Sequence, residues 1–364
     1  MKAINSYCKF TLLSLFMKLA YKIIHLKKRF PLRISRGLVT GSDNLFVSVT
    51  KNRITGWGEM APSSTLGNES ALDAKQLLEG FYNTGISDLS ISEIYQRGKE
   101  FNLPLCVLAA LDIALWDQLA KESNLPLYKL FGFPLPKVAT SVTIGINPPE
   151  VVKERMPILL DGTGVRYLKV KLGSKDGVEA DKAMFSQVVE STKKYNVGLR
   201  VDANGGWDVN NAIHMMKWLA NLGVDYVEQP LVHGMEEDLP AIFKNRPLPI
   251  YVDESCHFST DIPKWATYVD GVNMKLMKCG GLTEALRIIA TAKAFGLKTM
   301  IGCMGESSLS ISAGASLTGV LDHVDLDSQL NLDPDPFSGA QLTNGIIMPN
   351  NRPGHGAILK EEYL

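Results

Sequence analysis

From about Thr140 onward, short β-rich runs recur at intervals near 25 residues, with helix-like stretches between them. The runs read TSVTIG, YLKVKL, GLRVDA, DYVEQP, PIYVDE, GVNMKL, LKTMIG and HVDLDS. Intervening stretches such as AIHMMKWLANLG and EALRIIATAKAFG end in Gly, which readily takes the left-handed conformation that stops a helix. Eight strands alternating with helices require parallel pairing through crossover helices. A closed barrel and an open doubly wound sheet both satisfy that requirement. No G-x-G-x-x-G opens a helix and no G-x-x-x-x-G-K-[ST] occurs, so the open nucleotide-binding sheet loses its best support. The expected fold is α/β: a (β/α) barrel with an α+β capping domain.

The cap is assigned to residues 17–135, the barrel to 136–339, and the segment 340–364 is expected to pack back on the cap. In the cap, the alternation in NLFVSV, a turn at Lys51–Asn52 and the run ITGWGE predict a hairpin. A helix is expected from about Glu69 and another through VLAALDIALWDQLAKE, where apolar residues recur every three or four positions. The segment RFPLRISRGLVTGSD reads as a loop closing over the barrel mouth. The Pro- and Gly-rich LPLYKLFGFPLP marks the boundary. Residues 1–16 carry Lys2 and Lys9 before the apolar run Phe10 to Phe16. That run is short for a secretory signal, no small-x-small cleavage site follows it, and ~20 residues are needed to span a bilayer. It is read as an upstream extension.

Composition narrows the partners. Lys plus Arg and Asp plus Glu both number 38, so the chain is formally neutral. It has no global charge with which to hold nucleic acid or an anionic membrane. The five cysteines form no C-x-x-C pair and the six histidines show no metal-ligand spacing. They fit a reducing, cytoplasmic setting without a disulfide framework or zinc site. A small-molecule substrate is the expected partner, and a homo-oligomer is compatible with this composition.

The charges that remain informative fall at the ends of strands, where barrel active sites lie. Lys169 and Lys171 close the second barrel run, Asp202 the third, Glu228 the fourth, Asp253 the fifth and Lys275 the sixth. The steps from 171 to 202, 228, 253 and 275 are 31, 26, 25 and 22 residues, each about one βα unit. Lys169 and Lys171, two apart on a strand, share a face. Any one of these residues alone would read as a solvated strand end or a structural ion pair. Three acids on successive strands with lysines on both sides ask for more. Three carboxylates repel one another unless a cation joins them, and Mg²⁺ prefers such hard oxygen ligands.

The motifs KVK (169–171), VDAN (201–204), EQP (228–230), VDES (252–255) and KLMKCGG (275–281) resemble the muconate-lactonizing subgroup of the enolase superfamily. The resemblance extends from about Met17 through nearly the whole chain. It implies Mg²⁺ on Asp202, Glu228 and Asp253, with the ion holding a substrate carboxylate. It also implies Lys171 and Lys275 as an acid/base pair on opposite faces of the α-carbon, with Lys169 near the carboxylate. Enolisation of this kind uses a Lys or His base with bound magnesium. The seventh run, LKTMIGC, contains no His. Neighbouring charges are expected to shift Lys171 toward the neutral amine a base requires.

In the eighth run, HVDLDSQL, Asp325 and Asp327 are expected on one face of the mouth. Spacing alone equally allows a turn pair before NLDPDPFSG. The D-x-D is similar to that of dipeptide epimerases, where the pair holds the substrate α-ammonium. Thr143 is a further candidate, as a donor to the substrate carboxylate. Arg33 or Arg36 in the cap segment would suit an acidic side chain, or else serve as salt-bridged surface residues. The function implied is a Mg²⁺-dependent dipeptide epimerase acting on a dipeptide with a free amino group through an enediolate. The alternatives are an N-acylamino acid racemase, an o-succinylbenzoate synthase or a cycloisomerase of the same subgroup, or a non-catalytic barrel protein.

Overall fold

The computed structural model describes residues 17–62 and 69–363. The extension read over residues 1–16 lies outside them. Strands β1 (Lys18–Ile34), β2 (Gly37–Lys51) and β3 (Ile54–Met60) form an antiparallel sheet. The β2–β3 turn sits on Asn52 and Arg53, both at positive φ, one residue later than the sequence suggested. The segment expected as a loop, 29–43, is instead the far end of a long hairpin. β1 and β2 stay paired up to Ile34↔Gly37, with one irregularity between Lys27 and Leu32. The reason is its alternation: Leu26, Lys28, Phe30, Leu32 and Ile34 turn inward, while Lys27, Arg29, Pro31 and Arg33 are exposed. A period of two holds a strand together even where Pro and Arg interrupt the apolar run.

Three helices follow, the first and last of which pack on this sheet while the second packs on the last. Ser70 caps Ala71–Tyr82, and Ser90 with Glu93 forms a capping box on Ile91–Glu100. The third, Leu105–Glu122, is buried on most of its circumference. It lies directly on β3, because a Cβ on Gly58 would stand only 1.9 Å from the Ala110 carbonyl oxygen. Any larger residue at Gly58 would force the helix away.

The barrel strands are β4 (Ser141–Ile144), β5 (Tyr167–Lys171), β6 (Gly198–Asp202) and β7 (Val224–Glu228), followed by β8 (Ile250–Val252), β9 (Gly271–Lys275), β10 (Lys298–Gly302) and β11 (His323–Val324). They pair in parallel in chain order, and a bridge from Thr140 to Val324 closes the circle. All eight sequence runs are strands. Beneath the mouth, the interior is plugged by Arg200, Tyr226, Tyr251 and Met300. The Arg200 guanidinium carbon lies 3.7 Å from the Tyr167 ring centroid, and Arg200 donates to Ser141 Oγ at 2.8 Å.

After β11 the chain runs back to the cap. The short 3₁₀ turn Ser328–Asn331 leads to a backbone bridge between Leu332 and Lys28, and Asn331 pairs with both the N–H and C=O of Phe30. Farther on, Gly345 accepts from Thr140 N at the foot of β4. Gly354 and His355 reach the cap, at Leu127 and Asp117. The segment after β11 therefore ties the mouth to the cap hairpin at Lys28 and Phe30, and the C-terminal segment ties the cap to the foot of the barrel.

Candidate active site

Registration of the strands decides which charges meet. Lys169 lies level with Thr143 and Arg200, Lys171 with Asp202, and Asp202 with Glu228. Strand alternation points these side chains into the barrel. Asp202, Glu228 and Asp253 are buried, and their carboxylates each offer an oxygen within 4.8 Å of the others. Lys171 on β5 and Lys275 on β9 stand four strands apart in an eight-stranded circle, on opposite sides of the mouth.

Every one of these charges has a partner. Lys169 Nζ lies 2.7 Å from Glu228 Oε2, 2.6 Å from Asp325 Oδ2 and 3.4 Å from Asp202 Oδ2. Lys171 Nζ is 2.5 Å from Asp202 Oδ2, and Lys275 Nζ is 2.5 Å from Asp253 Oδ2. Burial by itself would raise the acid pKa values and lower those of the lysines. For Asp253 the adjacent Lys275 and Lys278 ammoniums reverse that, holding the carboxyl well below its usual range. Lys171 and Lys169 likewise reverse it for Asp202. Glu228 is pushed up to about 7 by burial and by Asp202. Burial would lower Lys169 and Lys275, but facing carboxylates drive both up.

Strand-end position alone does not single out several residues of this cluster, although Lys278, Asn204 and Gln229 fall within the motifs KLMKCGG, VDAN and EQP. Lys278, 1% exposed, holds Asp253 Oδ1 at 2.7 Å and donates to the Asn273 carbonyl at 2.9 Å. Asn273 donates to Glu228 Oε1 at 2.8 Å, and two-residue spacing from Lys275 on β9 was the clue to it. Asn204 grips Asp202 with its backbone N–H and its side-chain amide. Asn204 and Gln229, just past the strand ends that carry Asp202 and Glu228, both adopt positive φ, a strained geometry concentrated at functional sites. Glu306, in a loop without a sequence period, is pushed up to about 8 by burial.

The D-x-D pair is split. β11 ends at Val324, so the rule that i and i+2 share a face does not carry through to Asp327. Asp325 turns to Lys169, whereas Asp327 Oδ2 accepts from the Thr143 backbone N–H at 2.6 Å. Thr143 thus stands against Asp327. Burial and Asp325 push Asp327 up to about 6. Arg36 is committed elsewhere: its Nη2 lies 2.7 Å from Glu254 Oε1 and its Nη1 donates to the Asn204 carbonyl at 3.0 Å. The backbone of Arg33 meets Ile146, and its side chain faces outward from the hairpin.

These groups open onto one cavity of about 640 Å³ between barrel and cap. Lys171, Lys275, Asp325, Asp327 and Thr143 line its floor and rim. Its walls are largely apolar, with Phe30, Ile34, Val142, Ile144 and Ile158 among them. Among the described residues no helix is long and apolar enough to cross a membrane.

Residues 152–363 match the enolase C-terminal domain-like family, and residues 19–132 match the N-terminal domain of mandelate racemase and muconate lactonizing enzyme. The chain belongs to the enolase superfamily. Within it, the chain is 61% identical over 347 residues to a hydrophobic dipeptide epimerase of a Flavobacteria bacterium, covering 95% of this chain and 99% of that one. It is 58% identical to a hydrophobic dipeptide epimerase of Roseobacter litoralis, covering 94% and 99%. It also superposes on a dipeptide epimerase of Cytophaga hutchinsonii complexed with Mg and D-Ala-L-Val. There the TM-score is 0.88 and the identity 27%, covering 96% and 97% of the two chains. The protein is an enzyme of the isomerase class.

Proposed function

We propose that this enzyme epimerises dipeptides that have a free amino terminus and hydrophobic side chains, by proton transfer between two lysines. The observation that carries the proposal is the placement of Lys171 and Lys275 on opposite strands of the mouth, with three converging carboxylates between them. A dipeptide α-carbon seated above the triad would present one face to each lysine. The neutral amine of one lysine takes the α-proton, and the ammonium of the other delivers a proton from the far side, inverting the centre. Asp327 at the rim would receive the substrate ammonium, with Thr143 fixing its carboxylate. Asp325, tied to Lys169, adds negative charge behind it. The apolar walls and the hydrophobic dipeptide epimerases among the relatives support hydrophobic side chains.

An Mg²⁺ ion fits the donor set of Asp202, Glu228 and Asp253. All three are hard oxygen donors, buried, and close enough together that one of them, Glu228, is forced toward its neutral form without a dication. When bound there, Mg²⁺ supplies Lewis-acid stabilisation to the carboxylate of a deprotonated substrate. Dipeptides such as Leu-Tyr, incubated in D₂O, should gain one deuterium at an α-carbon with inversion, and excess chelator should stop the exchange. Full exchange in chelator would remove the metal. Preference for an N-succinylated amino acid would replace the epimerase by a racemase.

A further inference from the structure

From Ile24 to Ile34 the inward face of β1 is apolar with one exception. Leu26, Phe30, Leu32 and Ile34 turn toward the barrel, and Lys28 stands in the middle of that row at 8% exposure. Its backbone is pinned by the bridge to Leu332, so the residue cannot simply swing out to solvent. Lys28 lines the cavity together with Asp327; burial lowers its pKa, and the Asp327 carboxylate acts the other way to keep it charged. Among the described residues its ammonium makes no ion pair and no hydrogen bond. A buried cation costs free energy unless something pairs with it, so a lone one facing a cavity discriminates among ligands.

We infer that Lys28 sets the charge selectivity of the cavity at its ammonium-binding end: it turns away dipeptides whose first residue has a cationic side chain and favours neutral or acidic ones. The inference rests on the dipeptide reading given above and on Asp327 as the ammonium site. The side chain of the first residue departs from the same carbon as the ammonium. If Asp327 holds the ammonium, that side chain begins beside Asp327 and so beside Lys28. The wall around it is apolar and screens little, so like charges there repel strongly. The surplus acid of the rim would otherwise favour a second positive charge. Lys28 cancels that preference.

The test compares kcat/KM for α-proton exchange with Met-Leu, Lys-Leu and Glu-Leu, in wild type, Lys28→Met and Lys28→Arg. Met preserves the length and apolar stem of lysine, and Arg preserves the charge. The Lys-Leu to Met-Leu ratio should rise at least about tenfold in Lys28→Met, equivalent to 1.4 kcal/mol, and the Glu-Leu to Met-Leu ratio should fall. Lys28→Arg should keep both ratios near wild type. An unchanged pair of ratios in a folded Lys28→Met variant, or a wild type that already prefers Lys-Leu, overturns the assignment. If wild type exchanges Met-Leu but Lys28→Met alters nothing, only the role of Lys28 falls. If wild type exchanges none of the three, the dipeptide reading falls and takes this inference with it.

Discussion

The barrel mouth and the inner face of the cap hairpin meet across one cavity, yet they are built on opposite rules. At the mouth, Lys169, Lys171 and Lys275 are each matched to one or more carboxylates at 2.5–2.7 Å. On the hairpin, an apolar row carries a single lysine that pairs with nothing among the described residues. The mouth is a charge lattice that can be redistributed around a bound ion and substrate. The hairpin is a wall, and its one charge acts by exclusion. Chemistry is therefore assigned to the rigid strand ends, and selection among substrates to the cap.

The largest effects should come from the mouth. Lys171→Ala and Lys275→Ala should each abolish epimerisation, a loss beyond about 10³-fold, since removing a positioned acid/base typically costs 10²–10⁴. Each variant should still exchange the α-proton of one epimer, and the two should prefer opposite epimers. The check is mass-spectrometric deuterium uptake with separated L,L and L,D dipeptides. Equal loss with both epimers in both variants would break the opposite-face arrangement, and the mouth would then be no more than an ion-pair cluster.

This contrast also explains what could be read from the sequence. Residues at the ends of successive parallel strands recur about every βα unit, so Lys171, Asp202, Glu228, Asp253 and Lys275 stand out at steps of 22–31 residues. Alternation and glycine stops likewise mark all eight barrel strands. Lys278 escaped because it follows the strand inside a short helix, Leu276–Cys279, where its direction depends on a turn and not on strand alternation. Arg36 pairs with Glu254 across 218 residues of sequence, a contact that no local pattern contains. The hairpin end reads as a loop in the sequence because Pro31 and the arginines obscure its period of two. Lys28 immediately precedes that segment, and only its place in an apolar row shows that it is enclosed.

Where the two regions join, an intermediate effect is expected. Asp327 is half-buried, belongs to the segment after β11, and is held by Thr143 N. Loss of a charged partner to a buried ammonium costs about 2–5 kcal/mol, so Asp327→Asn should lower kcat/KM for a free dipeptide about 30- to 4,000-fold. N-acetylated analogues should be unaffected or improved, because repulsion is removed and no contact is lost. Parallel kinetics on both substrate types sharpen the comparison. A uniform loss on both would move Asp327 from the binding rim into the structural frame.

The smallest effect concerns the tip of the hairpin. Arg36 reaches from the cap to Glu254 and to the carbonyl of Asn204, and Ser35 Oγ donates to that same carbonyl at 2.9 Å. Asn204 in turn grips Asp202, and Glu254 follows Asp253 directly, so closure of the tip bears on two of the three acids. The Arg36 side chain is 34% exposed, which weakens the pair through solvent screening. Glu254, however, is 6% exposed and would be left without its cation. Arg36→Ala should therefore reduce kcat/KM by about tenfold, an effect near 1.4 kcal/mol. Most of it should appear in KM, because the latch closes the wall and carries no proton. Arg36→Lys keeps the charge but loses the fork that spans two acceptors, and should fall between the two. A thermal melt on each variant separates closure from folding. Arg36→Ala with unchanged KM and an unchanged melting temperature would show that the tip is not latched, and that the hairpin selects substrates through its inner face alone.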